Sequence, residues 1–340
     1  MPRRLAFLIV LAGIVGALII AAALPFERWI TPPAQEPDRL VIRVSHSHSA
    51  EHSYRKGLEK ASSIMESKTD GRIRLECFSD EQLGSERQVS DMLAAGTLDM
   101  GVVGVLDHFD SSFSLLEFPY LFESPGQLLC AADKGLFSDL QKSLLSHGVR
   151  MVGIMQVGFR CITANRPIRR AADLKGLRIR VPEKRGEVET FEALGAMPVP
   201  LSFTKVYQAI QTGVVDGEEN PLENILDGKL YEVQKYVILS RHVYSVTYVL
   251  ASETFWKKLL PADTQVIGAA VREGCSFQMN YAATKDLESE DSLRARGMTI
   301  IVPDTSSFRT AARKAYDCAF VKRLKPKADV LFSTILRCRK

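Results

Sequence analysis

The chain has 340 residues, of which 46% are apolar and 25% charged, with a net charge of +4. Such a length and composition fit an ordinary globular protein with two full cores better than one. Basic residues are scattered among acidic ones, and the longest basic cluster, Lys322-Arg323-Leu324-Lys325-Pro326-Lys327, has no interleaved aromatics, which argues against nucleic-acid binding.

At the N-terminus, Arg3 and Arg4 precede Leu5–Leu24, 20 uncharged and mostly apolar residues, and Ala21-Ala22-Ala23 supplies small residues suited to cleavage. Residues 1–24 therefore read as an export signal. The run is also long enough to span a bilayer, so an uncleaved anchor stays open. Either way the body is expected outside the cytoplasm. Residues 25–38, with Pro32-Pro33, read as a linker.

Leu40–Ser45 alternates as a first strand. Glu51–Lys68 is predicted helical, and Arg72–Cys77 is a second strand after the Asp70-Gly71 turn. Glu86–Ala95 is a helix closed by Gly96, and Asp99–Gly104 a short buried strand. Gln127–His147 reads as one helix, followed by strands near Met151–Met155 and Phe159–Thr163. Gly176–Pro182 alternates Leu177, Ile179 and Val181 with Arg178 and Arg180, a strand stopped by proline. A short helix follows at Glu187–Leu194. Ser202 is placed to cap a helix Phe203–Thr212, and Asp216-Gly217 marks a turn. Pro261 opens a long helical stretch ending by Gly297. Met298–Val302 is a late strand, and Ser307–Arg323 a last helix. Strands alternating with helices predict α/β units around largely parallel sheets.

In open α/β sheets, ligands sit beyond the carboxyl ends of strands, and Arg180 lies at such an end. Its planar fork of donors suits a carboxylate, although an ion pair with Glu183 or Glu187 satisfies it equally well. Arg160 begins a neighbouring strand. Asn220 sits in Asp216–Pro221, read as a turn where an asparagine commonly caps a helix. Phe203, Val206, Tyr207 and Ile210 share a helix face. His46, His48 and His52 crowd into seven residues, and His-x-His at a strand end, with Glu51 or His52, is a zinc pattern. The simpler reading is a polar loop in which one histidine caps a helix. The six cysteines form no C-x-x-C, and no nucleophile motif is present.

Several of these stretches, taken in order, resemble the DctP-type substrate-binding proteins of TRAP (tripartite ATP-independent periplasmic) transporters. Gly176–Pro182 is similar to their GLKIRVP strand, Phe203–Thr212 to F-x-E-V-Y-x-A-L-Q-T, and Val215–Pro221 to V-D-G-Q-E-N-P. Gln82–Arg87, Ala95–Met100, Phe118–Phe122 and Ala164–Ile168 also match, so the likeness covers about residues 38–325.

The resemblance implies a two-domain periplasmic-binding-protein-like α/β fold with a ligand cleft between domains and a long helix in the C-terminal half. Domain I is expected at 39–157 plus about 246–285, and domain II at 158–245 plus about 286–340. The implied function is an extracytoplasmic receptor that binds a small carboxylate-bearing organic acid and delivers it to a TRAP membrane permease. It is expected to be a monomer in the periplasm, not an enzyme, with no cofactor or metal. Carried over by motif, Arg180 pairs with the ligand carboxylate, Arg160 assists, Asn220 also holds it, and Phe203 forms an aromatic wall. His46 and Glu86 complete the implied substrate-binding set. Members that bind sialic acid carry an acid in the segment matching Val102–Val105, which is apolar here and argues against that ligand. The rival reading from another class is an exported zinc-dependent hydrolase built on His46, His48 and Glu51. A weaker third is a membrane-tethered sensor.

Overall fold

The computed structural model describes residues 39–339, so the expected signal or anchor at 1–24 and the linker at 25–38 lie outside the described residues. No described helix is long and apolar enough to cross a membrane.

The alternating pattern folds as βα units. Strand β1 (Leu40–Ser45) leads to helix α1 (Ser53–Lys68), then β2 (Ile73–Phe78), α2 (Glu86–Ala95) and β3 (Met100–Val103). Helix α2 carries a capping box, Ser85 with Gln88, and ends on Gly96 at φ 75°, so both of its termini are satisfied by residues visible in sequence. The expected helix 127–147 is two helices, α3 (Pro125–Asp133) and α4 (Ser138–Ser146). The break falls at Gly135, whose φ of +85° ends a right-handed helix.

Strand β4 (Val149–Phe159) passes through a single residue, Arg160, into β5 (Cys161–Ala164). Next come β6 (Arg178–Val181), α5 (Arg185–Ala193), β7 (Met197–Pro200), α6 (Val206–Gln211), β8 (Gly217–Asn220), α7 (Leu222–Asp227) and β9 (Tyr236–Ile238). The chain then returns through β10 (Tyr244–Ser252), α8 (Pro261–Ala295) and β11 (Thr299–Ile301). It ends in α9 (Thr305–Ala312), α10 (Ala319–Arg323) and α11 (Lys327–Leu336).

Two sheets result. One has the order β2-β1-β3-β10-β4, the other β11-β9-β5-β8-β6-β7. They are mixed rather than largely parallel. β10 runs antiparallel to β3 and β4, and β5 runs antiparallel to β8 and β9. These two strands arrive directly from the other sheet, with no helical crossover to reverse them, and a crossover is what parallel pairing requires. The two joining segments run side by side: the Arg160 amide donates to Val243 O (2.8 Å) and the His242 amide to Arg160 O (3.2 Å).

The long helix α8 lies against α1, β4 and α7. Its approach to α1 is backbone-close, since a Cβ on Gly274 would sit 2.5 Å from Gly57 O. Each sheet has its own apolar core.

Three local expectations change. Ser202 makes no side-chain cap, and Phe203–Lys205 is a 3-10 turn before α6. The expected last helix 307–323 is interrupted by a 3-10 turn at Arg313–Asp317. Residues 217–220, read as a turn, form the fully buried strand β8. Helix α11, grouped with the second domain in the sequence reading, packs into the first sheet's core with Leu331 and Ile335, and a disulfide joins Cys338 to Cys130 of α3.

Candidate functional site

Arg180 is the next-to-last residue of β6 and is 2% exposed. Its Nε and Nη2 donate to Leu201 O at 2.9 and 2.6 Å. A guanidinium carries five N–H donors, so the Nη1/Nη2 edge remains available as a fork. Burial pushes this group's pKa down, and the like charge of Arg160 adds to that, while Glu218 opposes both.

Arg160 is spent differently. Its Nε donates to Glu219 Oε2 (2.5 Å), and Nη2 to Glu219 Oε1 (2.7 Å) and Asn220 Oδ1 (3.2 Å). Burial alone would lower its pKa, but Glu219 outweighs that and raises it. The carboxyl of Glu219 would be raised by burial, yet Arg160 and His242 pull it to about 2.

Asn220 closes β8. Its Nδ2 donates to Glu218 Oε2 (2.6 Å), while its Oδ1 accepts from Arg160 and from Asn224 Nδ2 (3.3 Å). The amide orientation is therefore fixed from both sides. Glu218 is pushed up to about 7 by burial, which prevails over the nearby Arg180 charge and the hydrogen bonds from Asn220 and Thr163. This paired interior explains why an acid-rich run reads as a turn: the partners that allow its burial lie on other strands.

One cavity is lined by Arg160, Arg180, Asn220, Phe203 and Glu86 together, the expected set apart from His46. Its volume is about 50 Å³. Glu86 accepts from the Gly104 and Val105 amides (2.6 and 3.1 Å) and from Ser47 Oγ (3.1 Å). His46 is the exception among the expected residues. It follows β1 directly, buried against Ser79 Oγ (3.1 Å), with burial pushing its pKa to about 3, and does not line the cavity. The chain turns after it, so that His48 lines the wall instead.

The expected zinc set of His46, His48 and Glu51 does not assemble. Glu51 is an exposed partner of Lys56, and the metal-capable group among the described residues is His48, His52 and Asp227. Its ring nitrogens are already matched. His48 Nδ1 faces Asp227 Oδ2 (3.1 Å) and Nε2 faces Asn224 Nδ2 (3.3 Å). His52 Nε2 faces Asn224 Oδ1 (3.1 Å), and Nδ1 accepts the Tyr54 amide (3.2 Å) as the cap of α1. Burial first, then His48, push His52 down to about 4. The network orients Asn224, which orients Asn220.

Sequence reasoning missed Asn224 and Lys184. Asn224 stands four residues after Asn220, one helical turn, a spacing that could have drawn notice. Lys184 lies two residues past the proline that stops β6; its ammonium meets Glu117 Oε1 at 2.9 Å and lines the same cavity.

The model of the family DctP, described as bacterial extracellular solute-binding protein, family 7, matches residues 44–323. The C4-dicarboxylate-binding periplasmic protein DctP of Rhodobacter capsulatus is 30% identical over 307 residues, 88% of this chain and 90% of its own. Among solved structures, a TRAP periplasmic solute-binding protein of Roseobacter denitrificans with bound L-galactonate superposes at TM-score 0.82 and 29% identity. That likeness covers 87% of this chain and 99% of the other. One from Haemophilus influenzae with bound L-gulonate gives 0.84 and 27%, covering 88% and 100%. With two sheets, a cavity walled by buried arginines and a family match over most of its length, this chain belongs to the DctP family of TRAP-transporter solute-binding proteins, receptors for small carboxylate-bearing organic acids.

Proposed function

We propose that this receptor captures a sugar acid, with the ligand carboxylate on the open fork of Arg180. Asn220 and Arg160 stand beside it, and Phe203 forms the adjoining wall. The observation that carries this reading is the state of Arg180: among the described residues it is the one cation of the cavity wall with no ion-pair partner, whereas Arg160 and Lys184 each have a carboxylate. A buried guanidinium left in that state favours an incoming anion. The sugar-acid class is supported by the L-galactonate and L-gulonate of the related structures.

The chemistry is capture and release, with no covalent step, and the protein is not an enzyme. Entry and release separate contacts that join elements of the two sheets, such as Lys184 with Glu117 and His48 with Asp227. The two domains divide near 157 and 245, where the strands cross. Ligand contacts to both sides then favour the closed form. The receptor acts as a periplasmic monomer and passes its ligand to a TRAP permease.

Native mass spectrometry of protein purified without refolding tests the reading. A co-purified mass matching a hydroxylated carboxylic acid is expected, and calorimetry with that compound should give one site per chain. A neutral co-purified ligand, or stoichiometric binding with no carboxylate present, overturns it.

A further inference from the structure

The end of the cavity near Gly104 has a different chemistry from the Arg180 end. Lys184, the residue preceding α5, is 6% exposed. Its Nζ donates to Glu117 Oε1 at 2.9 Å and stands 3.7 Å from Glu187 Oε1. Glu117 is held in turn by Ser245 Oγ (2.5 Å). An ammonium has three N–H donors, and only one is used in a hydrogen bond among the described residues.

Opposite stands the carboxylate of Glu86, anchored by two backbone amides. Between them Gly104 supplies no side chain. A Cβ there would meet Lys184 Nζ at 3.3 Å and Glu86 Oε2 at 3.5 Å, so both polar atoms border the same point. Spare donors and a fixed acceptor thus meet at one place. A hydroxyl group, which both donates and accepts, satisfies that arrangement. A second carboxylate does not, because it only accepts, it faces Glu86, and the ammonium charge is already matched by Glu117. Burial raises the Glu187 carboxyl well above its ordinary range, which leaves Glu117 as the counter-charge of Lys184.

We propose that Lys184, Glu86 and Gly104 form a second subsite that takes a ligand hydroxyl and rejects a second carboxylate, so that the receptor selects hydroxylated monocarboxylates over dicarboxylates. This rests on the reading that Arg180 holds the first carboxylate.

The test is calorimetry with two pairs of compounds matched in carbon skeleton: L-galactonate against galactarate, and L-gulonate against glucarate. Wild type should bind a monoacid at least about tenfold more tightly than its diacid, a difference of ~1.4 kcal/mol. Glu86→Gln removes the repelling charge and should narrow that ratio. Lys184→Met should weaken the monoacid about tenfold more than it weakens butyrate, which lacks hydroxyls. Thermal melts of both variants establish that they fold, and the Glu86→Gln ratio decides the matter if Lys184→Met does not. Diacids bound as tightly as monoacids, an unchanged ratio in Glu86→Gln, or no binding of either pair overturns the subsite. Loss of the carboxylate reading itself has a separate signature: Arg180→Ala would bind every acid as well as wild type.

Discussion

Two of the three buried cations that line the cavity, Arg180 and Lys184, are prepared in opposite ways. Arg180 has only a carbonyl oxygen for company, and its nearest acid, Glu218, is pushed up to about 7 and so is largely uncharged in mildly acid solution. Lys184 has Glu117 at ion-pair distance; burial would lower its pKa, but the carboxylate of Glu117 outweighs that and raises it. The first arrangement leaves a charge waiting for a charge. The second keeps the donors and cancels the charge. A polar cavity therefore distinguishes ligand ends less by which residues line it than by how each lining residue is already satisfied.

The largest expected effect comes from breaking the unpaired end. Arg180→Ala should cost ~2–5 kcal/mol of binding, roughly 30- to 3,000-fold in affinity by calorimetry. Arg180→Lys should also bind poorly, because an ammonium cannot reproduce a planar fork. Unchanged affinity in either variant would mean that the carboxylate lies elsewhere.

The next test concerns Glu218, the acid whose charge acts most strongly on Arg180 and whose own pKa burial raises to about 7. A bound carboxylate beside Arg180 further disfavours ionised Glu218, so binding takes up a proton. Affinity should then fall as pH rises above about 7, by up to about tenfold per unit. Glu218→Gln should flatten this dependence. Stability follows the same sign. The folded pKa is raised from 4.5 to about 7, so the contribution of Glu218 is complete below 4.5 and lost as pH rises to 7. The glutamine variant should accordingly gain up to about 3 kcal/mol relative to wild type at pH 8, measured by urea titration. A wild-type affinity that is level from pH 6 to 9 would remove Glu218 from the account.

A smaller effect is expected one shell further out. Asn224 donates to Asn220 Oδ1 and bridges His48 and His52. Asn224→Ala should loosen the Asn220 amide and cost about 1 kcal/mol, roughly fivefold in affinity. An equal loss for ligands with and without a carboxylate would show that the change acts on closure and not on the Arg180 end.

The unpaired end was readable in the amino-acid sequence and the neutralised end was not, for a physical reason. Arg180 stands on an alternating strand two residues before a proline, so local pattern alone places it at a strand end. Lys184 has its meaning from Glu117, 67 residues earlier, and from Gly104, which acts by lacking a side chain. Such pairings arise only when the sheets come together. Helix α2 could be read because its capping box and terminal glycine are local. Strand β10 escaped because all nine of its residues are buried, which leaves no alternation to detect. Residues 217–220 misled for the opposite reason: their charges suggest solvent, while their partners, Arg160, Thr163 and His242, make burial tolerable.

Arg160 occupies the single position between β4 and β5, and its backbone bonds the returning strand at His242 and Val243. In the proposed opening, a rotation of one sheet against the other would turn about these joining strands and displace atoms in proportion to their distance from them. Near the pivot, Arg160 and Asn220 keep their spacing throughout the swing, because Asn220 is paired to Cys161 in the adjacent strand. Lys184 follows β6 of one sheet and Glu117 follows β3 of the other, so this pair would part in such an opening. On the proposed reading, capture would be ordered in time: the berth for the acid would stand ready before closure, and the reader of its other end would be assembled by closing upon it.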